Sequence, residues 1–174
     1  MTKQELAKAI YRTSHLTGEF KLRSGAISNE YFDKYQFESN PELLLEICQH
    51  IIDILPDDFD ALAGLEMGGI PIAVILSQLT GKPVCFVRKK AKEYGTCNLA
   101  EGTEIFGKKL LVVEDVVTSG GQVILSSQEL RDKGAVITDA ICVIDRESGG
   151  KDGLNNIGIN LNPLFTMSEI KSYL

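Results

Sequence analysis

Between Asp60 and Ile144, short apolar runs alternate with longer stretches of helical period. Asp60 to Gly64, Val84 to Val87, Lys109 to Val113 and Val136 to Ile144 read as strands, with helices over Ile70 to Leu79 and Ser119 to Lys133. Apart from its lysines, the run at Lys109 is apolar at every position, so it needs cover on both faces. Strands separated by helices build βαβ units. The expected fold is therefore α/β, a mainly parallel twisted sheet flanked by helices. Ahead of it, a helix is expected from about Lys3 to Arg12, with Leu6, Ala9 and Ile10 on one face. Gly18 to Phe37 has strand or hairpin character. Asn40-Pro41 starts a second helix, whose apolar positions are Leu44, Leu45, Cys48, Ile51, Ile52 and Leu55. Lys89 to Gly107 is long, polar and without clear period. A last strand is expected over Ile157 to Leu161, and Thr166 to Glu169 has the capping-box pattern of a terminal helix.

With 174 residues, 44% of them apolar and 24% charged, the chain suits one compact domain. Its formal net charge of -6 makes it a poor general binder of nucleic acid or anionic membrane. An anionic substrate must then be held by local basic groups. Cys48, Cys85, Cys97 and Cys142 have no C-x-x-C spacing, and only His15 and His50 accompany them, which argues against a zinc site or a disulfide framework. Cys48, Cys85 and Cys142 read as small core residues, whereas Cys97 sits in a polar loop. No apolar stretch reaches the length of a membrane span, and a reducing cytoplasmic setting is expected. Both histidines are expected on helices, away from the loops that carry chemistry.

In parallel sheets ligands bind beyond the carboxyl ends of the strands. Three loops are thereby singled out: after Gly64, after Val87 and after Val113. The third holds Glu114, Asp115, Val116, Val117, Thr118, Ser119, Gly120, Gly121 and Gln122. Two carboxylates at a strand end accept hydrogen bonds from sugar hydroxyls. The Thr-Ser-Gly-Gly turn beside them offers backbone N–H groups, two hydroxyls and a positive helix end to a phosphate. This describes a ribose 5-phosphate cradle. Paired acids at a strand end also serve phosphoacceptor and magnesium sites of receiver-type domains, and a Gly-Gly turn is often only a tight connection. No Gly-Lys-Ser/Thr follows, so it is not a P-loop.

After Val87, Arg88-Lys89-Lys90-Ala91-Lys92 puts four cations into five positions. Such a run is a solvated face, a nucleic-acid patch, or a set of cations for a leaving pyrophosphate. Leu22 to Asp33, with Arg23, Tyr31 and Phe32, reads by itself as a surface hairpin with a basic residue and aromatics. Arg146 follows the strand that ends at Ile144. Its guanidinium is suited to grip a carboxylate with two parallel hydrogen bonds, or else pairs at the surface with Asp145 or Glu147.

Val112 to Gly121 resembles the phosphoribosyl pyrophosphate motif of the type I phosphoribosyltransferase family. The Arg88 to Gly95 stretch, with its Arg-Lys-x-Ala-Lys-x-x-Gly pattern, resembles the flexible catalytic loop of the orotate phosphoribosyltransferases. Leu22-Arg23-Ser24-Gly25 and Asp145-Arg146 to Gly149-Gly150 resemble the same family. So does the Gly64 to Pro71 turn, except that Met67-Gly68 stands where some members have Tyr-Lys. The resemblance covers most of the chain from Gly18 to Gly150. It implies transfer of the 5-phosphoribosyl group from phosphoribosyl pyrophosphate (PRPP) to orotate. The products are orotidine 5'-monophosphate and pyrophosphate, in de novo pyrimidine (UMP) biosynthesis.

By the same resemblance, Glu114 and Asp115 hold the ribose hydroxyls and Thr118 to Gln122 bind the 5-phosphate, with Val116 and Val117 between them. Arg88, Lys89 and Lys92 meet pyrophosphate, with Lys92 reaching the reacting centre, and Met67 and Gly68 form a pyrophosphate loop. Arg23, Tyr31, Phe32 and Thr118 meet orotate, and Arg146 binds its carboxylate. Magnesium (Mg2+) is expected to be held mainly through substrate. A homodimer is implied, with the 88–103 loop shared across subunits. Residues 1–40 and the C-terminal end would form a small hood over the base site. Where many members have His before the loop glycine, this chain has Tyr94, which does not titrate near neutrality. A purine phosphoribosyltransferase would share the ribose motif but not call for the Arg23 and Arg146 segments; a non-catalytic nucleotide sensor on the same fold is opposed by the acidic net charge and the intact Lys89, Lys92 loop.

Overall fold

The computed structural model describes residues 1–22, 24–91, 93 and 98–174. The chain opens with α1 (Lys3–Ser14), the strands β1 (His15–Lys21) and β2 (Ile27–Phe32), a single turn α2 (Tyr35–Glu38) and α3 (Pro41–Ile52). Then follow β3 (Ala61–Leu65), α4 (Gly69–Thr80), β4 (Val84–Val87), β5 (Ala100–Gly102), β6 (Lys109–Val117) and α5 (Gly121–Asp132). The chain closes with β7 (Val136–Asp145), α6 (Gly150–Asn155), β8 (Asn160–Thr166) and α7 (Met167–Ser172). Among the described residues, no helix is long and apolar enough to cross a membrane.

The main sheet has six strands in the order β5-β4-β3-β6-β7-β8, parallel except for the antiparallel β4–β5 pair. Period-two alternation sorts its side chains into two cores. Leu111 and Val113 of β6 join Leu62, Ile141 and Val143 under α1, α3 and α4. Leu110 and Val112 point the other way and join Ala61, Ala63, Cys85 and Cys142 under α5 and α6. The unbroken apolar run of β6 is thus explained by cover on both faces. Crossovers leave β3 and β6 toward opposite edges, so these neighbours form a switch point where ligands bind beyond the strand ends.

Near the N-terminus, β1 and β2 pair antiparallel as a separate two-stranded sheet. α1, expected in the hood, buries Leu6, Ala7 and Ile10 with the core of the main sheet. Asn40 caps α3, its Oδ1 accepting the Leu43 N–H at 3.0 Å. Leu43 and Ile47 are buried on that helix, whereas Leu45 and Ile52 are exposed; the expected stripe was turned by one position.

Four elements differ from expectation, the first being α2, a helical turn at the end of the Gly18 to Phe37 stretch read as strand or hairpin. β5 lies inside the stretch read as aperiodic; it is short and held by pairing to β4, which local pattern does not reveal. α6 was missed because its six residues include Gly150 and Gly153, and only Leu154 is a buried apolar residue. The last strand is Asn160–Thr166 rather than Ile157–Leu161, because a turn from α6 occupies residues 156–158. Thr166 then caps α7, accepting the Glu169 N–H at 3.1 Å. Cys48, Cys85 and Cys142 are buried, and burial pushes the Cys48 and Cys85 thiols up to about 12, as suits inert core residues.

Candidate active site

β6 runs on through Val117, so Glu114 and Asp115 lie within the ladder, opposite β7, rather than past its end. Asp115 is fully buried and Glu114 partly so. Asp115 Oδ1 accepts its neighbour Val116 N–H at 2.5 Å, and Glu114 Oε1 accepts the Asp115 N–H at 2.9 Å. Lys34 Nζ stands 2.5 Å from Asp115 Oδ2. Glu38, one turn further along α2, packs against the same carboxylate.

The charges divide unequally. Burial works to raise Asp115, but hydrogen bonds from Glu38, Glu114 and Lys34 overcome it and hold the carboxyl below its ordinary range. Burial, then the hydrogen bond and charge of Asp115, push Glu38 up to about 9. Burial and the adjacent Asp115 charge likewise push Glu114 well up. Burial opposes the charge on Lys34, and contact with Asp115 more than offsets it, raising the ammonium. Lys34 and Asp115 thus form an ion pair, flanked by Glu38 and Glu114, whose carboxyls are both held up. A geometric fact agrees: Glu38 Oε1 is buried and no donor among the described residues reaches it. A proton on Glu38, donated to Asp115, satisfies both groups.

This arrangement has a measurable consequence. The folded chain keeps the Glu38 proton up to pH about 9, while the unfolded chain releases it near the ordinary 4.5. Between those values the unfolded state binds fewer protons, so stability falls as pH rises. Glu38→Gln keeps a donor for Asp115 and removes the ionisation. Partial exposure discounts the shift, leaving an expected gain of roughly 1 kcal/mol at pH 8, or about 2–4 °C in Tm. Thermal melts at pH 5 and pH 8 check this: the gain should appear at pH 8 and shrink at pH 5.

Glycines bring the loops together. A Cβ on Gly68 would overlap Asp115 Oδ2 and stand 2.8 Å from Glu38 Oε1, so only glycine lets the β3 loop close on β6 here. Met67 beside it is 61% exposed. Beyond β6, Thr118 and Ser119 are exposed and Gly120, at φ 75°, turns the chain into α5. The first N–H groups of that helix, from Gly121 and Gln122 onward, have no carbonyl partner within it and stay available to an anion. A Cβ on Gly150 would lie 2.5 Å from Val117 Cγ1 and 2.6 Å from Thr118 O, so the turn rests on the start of α6. The Gln122 side chain is turned along the helix, its Nε2 donating to Ser126 Oγ at 3.0 Å.

Of the basic loop, Arg88 Nε lies 3.4 Å from Glu101 Oε1 on β5. This side chain was expected on pyrophosphate, and the edge strand that engages it was not visible in sequence. Lys89 and Lys90 are exposed, and the Lys89 N–H donates to Glu66 Oε1 at 2.5 Å, tying this loop to the β3 loop. Lys92, Tyr94, Cys97 and Arg23 lie outside the described residues.

Tyr31, Phe32 and Arg146 line one cavity of about 200 Å³ together with His15, Met167 and Lys171. Tyr31 and Phe32 lean on different aromatics, Tyr31 on Phe20 at 5.6 Å and Phe32 on Tyr11 at 6.4 Å between ring centres. His15 begins β1 instead of lying on a helix, and its Nε2 is 2.8 Å from Glu30 Oε2. The Arg146 N–H donates to Val117 O at 2.8 Å, which links this cavity to the ribose motif. Lys34, Glu38, Glu66 and Lys171 were not singled out in the sequence: Glu66 lies inside the Gly64 to Pro71 turn, but its tie to the Lys89 N–H, like the contacts of the other three, joins residues far apart in the chain. Lys34 follows Phe32 by only two residues, but its meeting with Asp115 is long-range and leaves no local signal.

Comparison with known proteins bears on this geometry. The phosphoribosyl transferase domain family model matches residues 35–157. A Nocardioides orotate phosphoribosyltransferase is 47% identical over 95% of this chain and 92% of its own. One from Methanocella arvoryzae is 39% identical over 97% of both. Among solved structures, the orotate phosphoribosyltransferase of Aeropyrum pernix superposes with a TM-score of 0.84 at 28% identity, covering 96% of each chain. This chain belongs to the phosphoribosyltransferase family and, within it, to the orotate phosphoribosyltransferases.

Proposed function

We propose that this protein transfers the 5-phosphoribosyl group from PRPP to a ring nitrogen of orotate, forming orotidine 5'-monophosphate and releasing pyrophosphate. The observation that carries the reading is the shared switch point. There the Glu114–Asp115 pair, the Gly68 turn and the Thr118–Gly121 turn meet, and the Arg146 cavity is joined to them by the Val117 carbonyl.

The roles follow from the chemistry each group offers. Ionised Asp115 accepts hydrogen bonds from the ribose hydroxyls, and Glu114 completes the diol site. Thr118, Ser119 and the first N–H groups of α5 bind the 5-phosphate. Arg146 holds the orotate carboxylate, and Tyr31 and Phe32 pack near the ring. Arg23 comes to the base or pyrophosphate side from the segment before β2. The transition state has oxocarbenium character, so catalysis depends on positioning the ribose and on charge at the leaving group. Lys89 and Lys92 supply that charge, and Arg88 joins them by exchanging Glu101 for pyrophosphate. No protein nucleophile is needed.

Both oxygens of Asp115 are already engaged, by the Val116 N–H and by Lys34, so the site does not present a ready cation cage of its own. Among the described residues no group of three His, Cys, Asp or Glu side chains is placed to hold a metal ion. Magnesium would be held mainly through PRPP, beside Glu114 and Asp115, and would supply charge that neutralises the departing pyrophosphate. The β1–β2 hairpin and α7, which both line the Arg146 cavity, form the hood over the base. A homodimer sharing the 88–103 loop completes each site, in the cytoplasm. Adding PRPP and magnesium to protein and orotate should bleach the absorbance of orotate. Unchanged absorbance with both present would contradict the reading.

A further inference from the structure

Lys34 belongs to none of the stretches that carry the reaction's motifs, yet its ammonium meets the one fully buried carboxylate of the ribose site. Its place is set by the backbone around it. Asp33 turns the chain from β2 into α2, its Oδ1 accepting the Tyr35 N–H at 3.1 Å and its Oδ2 the Gln36 side-chain amide at 2.9 Å. Phe37 anchors the turn in the core. Lys34 Nζ also sits 5.2 Å from the centre of the Tyr35 ring, which restricts where the side chain can lie. On the other side, glycine at position 68 leaves the gap that the Asp115 carboxylate and Glu38 fill.

A buried carboxylate facing two other carboxyl groups does not keep one orientation and one charge without a cation. Lys34 is the cation that stands on it. We propose that Lys34 is a positioning residue of the ribose site: through the ion pair to Oδ2, in the gap that Gly68 leaves open, it holds Asp115 charged and oriented for the ribose hydroxyls of PRPP. Lys34 acts through Asp115 and not on the reacting atoms. The inference rests on the phosphoribosyl-transfer reading, and it adds a requirement that none of the motif residues carries.

The test is steady-state kinetics on Lys34→Gln. The KM for PRPP should rise about tenfold while kcat changes less than about threefold and the KM for orotate stays within about twofold. Lys34→Arg, which keeps the charge, should recover most of the loss. In an Asp115→Asn background, Lys34→Gln should add less than about twofold, because the group it acts through is gone. If Lys34→Gln melts below the assay temperature, Lys34→Met, which keeps the length and packing of the side chain without its charge, is the second variant and should give the same rise in PRPP KM. A PRPP KM within twofold of wild type in the folded variant, or an equal loss in the Asp115→Asn background, overturns the role of Lys34 alone. A wild-type protein that turns over no PRPP with any base overturns the reaction and this role together.

Discussion

Asp115→Asn should lower kcat/KM for PRPP by roughly a hundredfold, about 3 kcal/mol of transition-state binding. The substitution preserves shape and removes charge, so it isolates what the carboxylate does. Its two oxygens are now engaged, one accepting from the Val116 N–H and one paired with the Lys34 ammonium. An asparagine has one acceptor oxygen, so its amide nitrogen must face either the Val116 donor or the Lys34 ammonium. Either way the ribose hydroxyls lose a charged acceptor, whose hydrogen bonds are the strong kind. Varying PRPP at saturating orotate reads the effect, and the orotate KM should stay close to wild type. A loss below about threefold would mean that the ribose is held elsewhere.

Arg146→Ala should raise the orotate KM by about 30- to 100-fold, the loss of a charge-assisted contact of roughly 2–3 kcal/mol. The PRPP KM should stay within about twofold. Backbone geometry supports this separation. The Arg146 N–H is fixed to Val117 O, so the substitution removes the side chain from the cavity without freeing the loop. Lys171 and the His15–Glu30 pair remain in the same cavity and retain some polarity, which limits the loss. Arg146→Lys should recover only part of it, because an ammonium cannot make the two parallel bonds of a guanidinium. Equal rises in both KM values would instead point to a structural role for Arg146 in supporting the ribose motif.

What the sequence revealed and what it hid follow one physical line. β3, β4, β6 and β7 were legible because each packs into the cores of the sheet and announces itself as an apolar run. The Glu114 to Gln122 stretch was legible because strand, acids and anion-binding turn are contiguous in the chain. β5 was hidden because its existence depends on a partner strand, and with it the ion pair that engages Arg88. Lys34 and Glu38 were hidden for a related reason. Their importance comes from contact with Asp115, which lies far along the chain and is reached only through the opening at Gly68. His15 was misplaced on a helix: α1 runs past its expected end near Arg12 but stops at Ser14, so His15 opens β1 and lines the base cavity. The glycine at position 68, read as the loss of a lysine, has a positive role in packing.

The most direct measurement is pyrophosphate release from PRPP and magnesium, with orotate, uracil, hypoxanthine, guanine, xanthine and adenine supplied one at a time. The account predicts release with orotate alone, accompanied by loss of orotate absorbance. Release with a purine would keep the ribose and phosphate assignments and discard Arg146 as a carboxylate anchor; no release with any of the bases would contradict phosphoribosyl transfer by this chain.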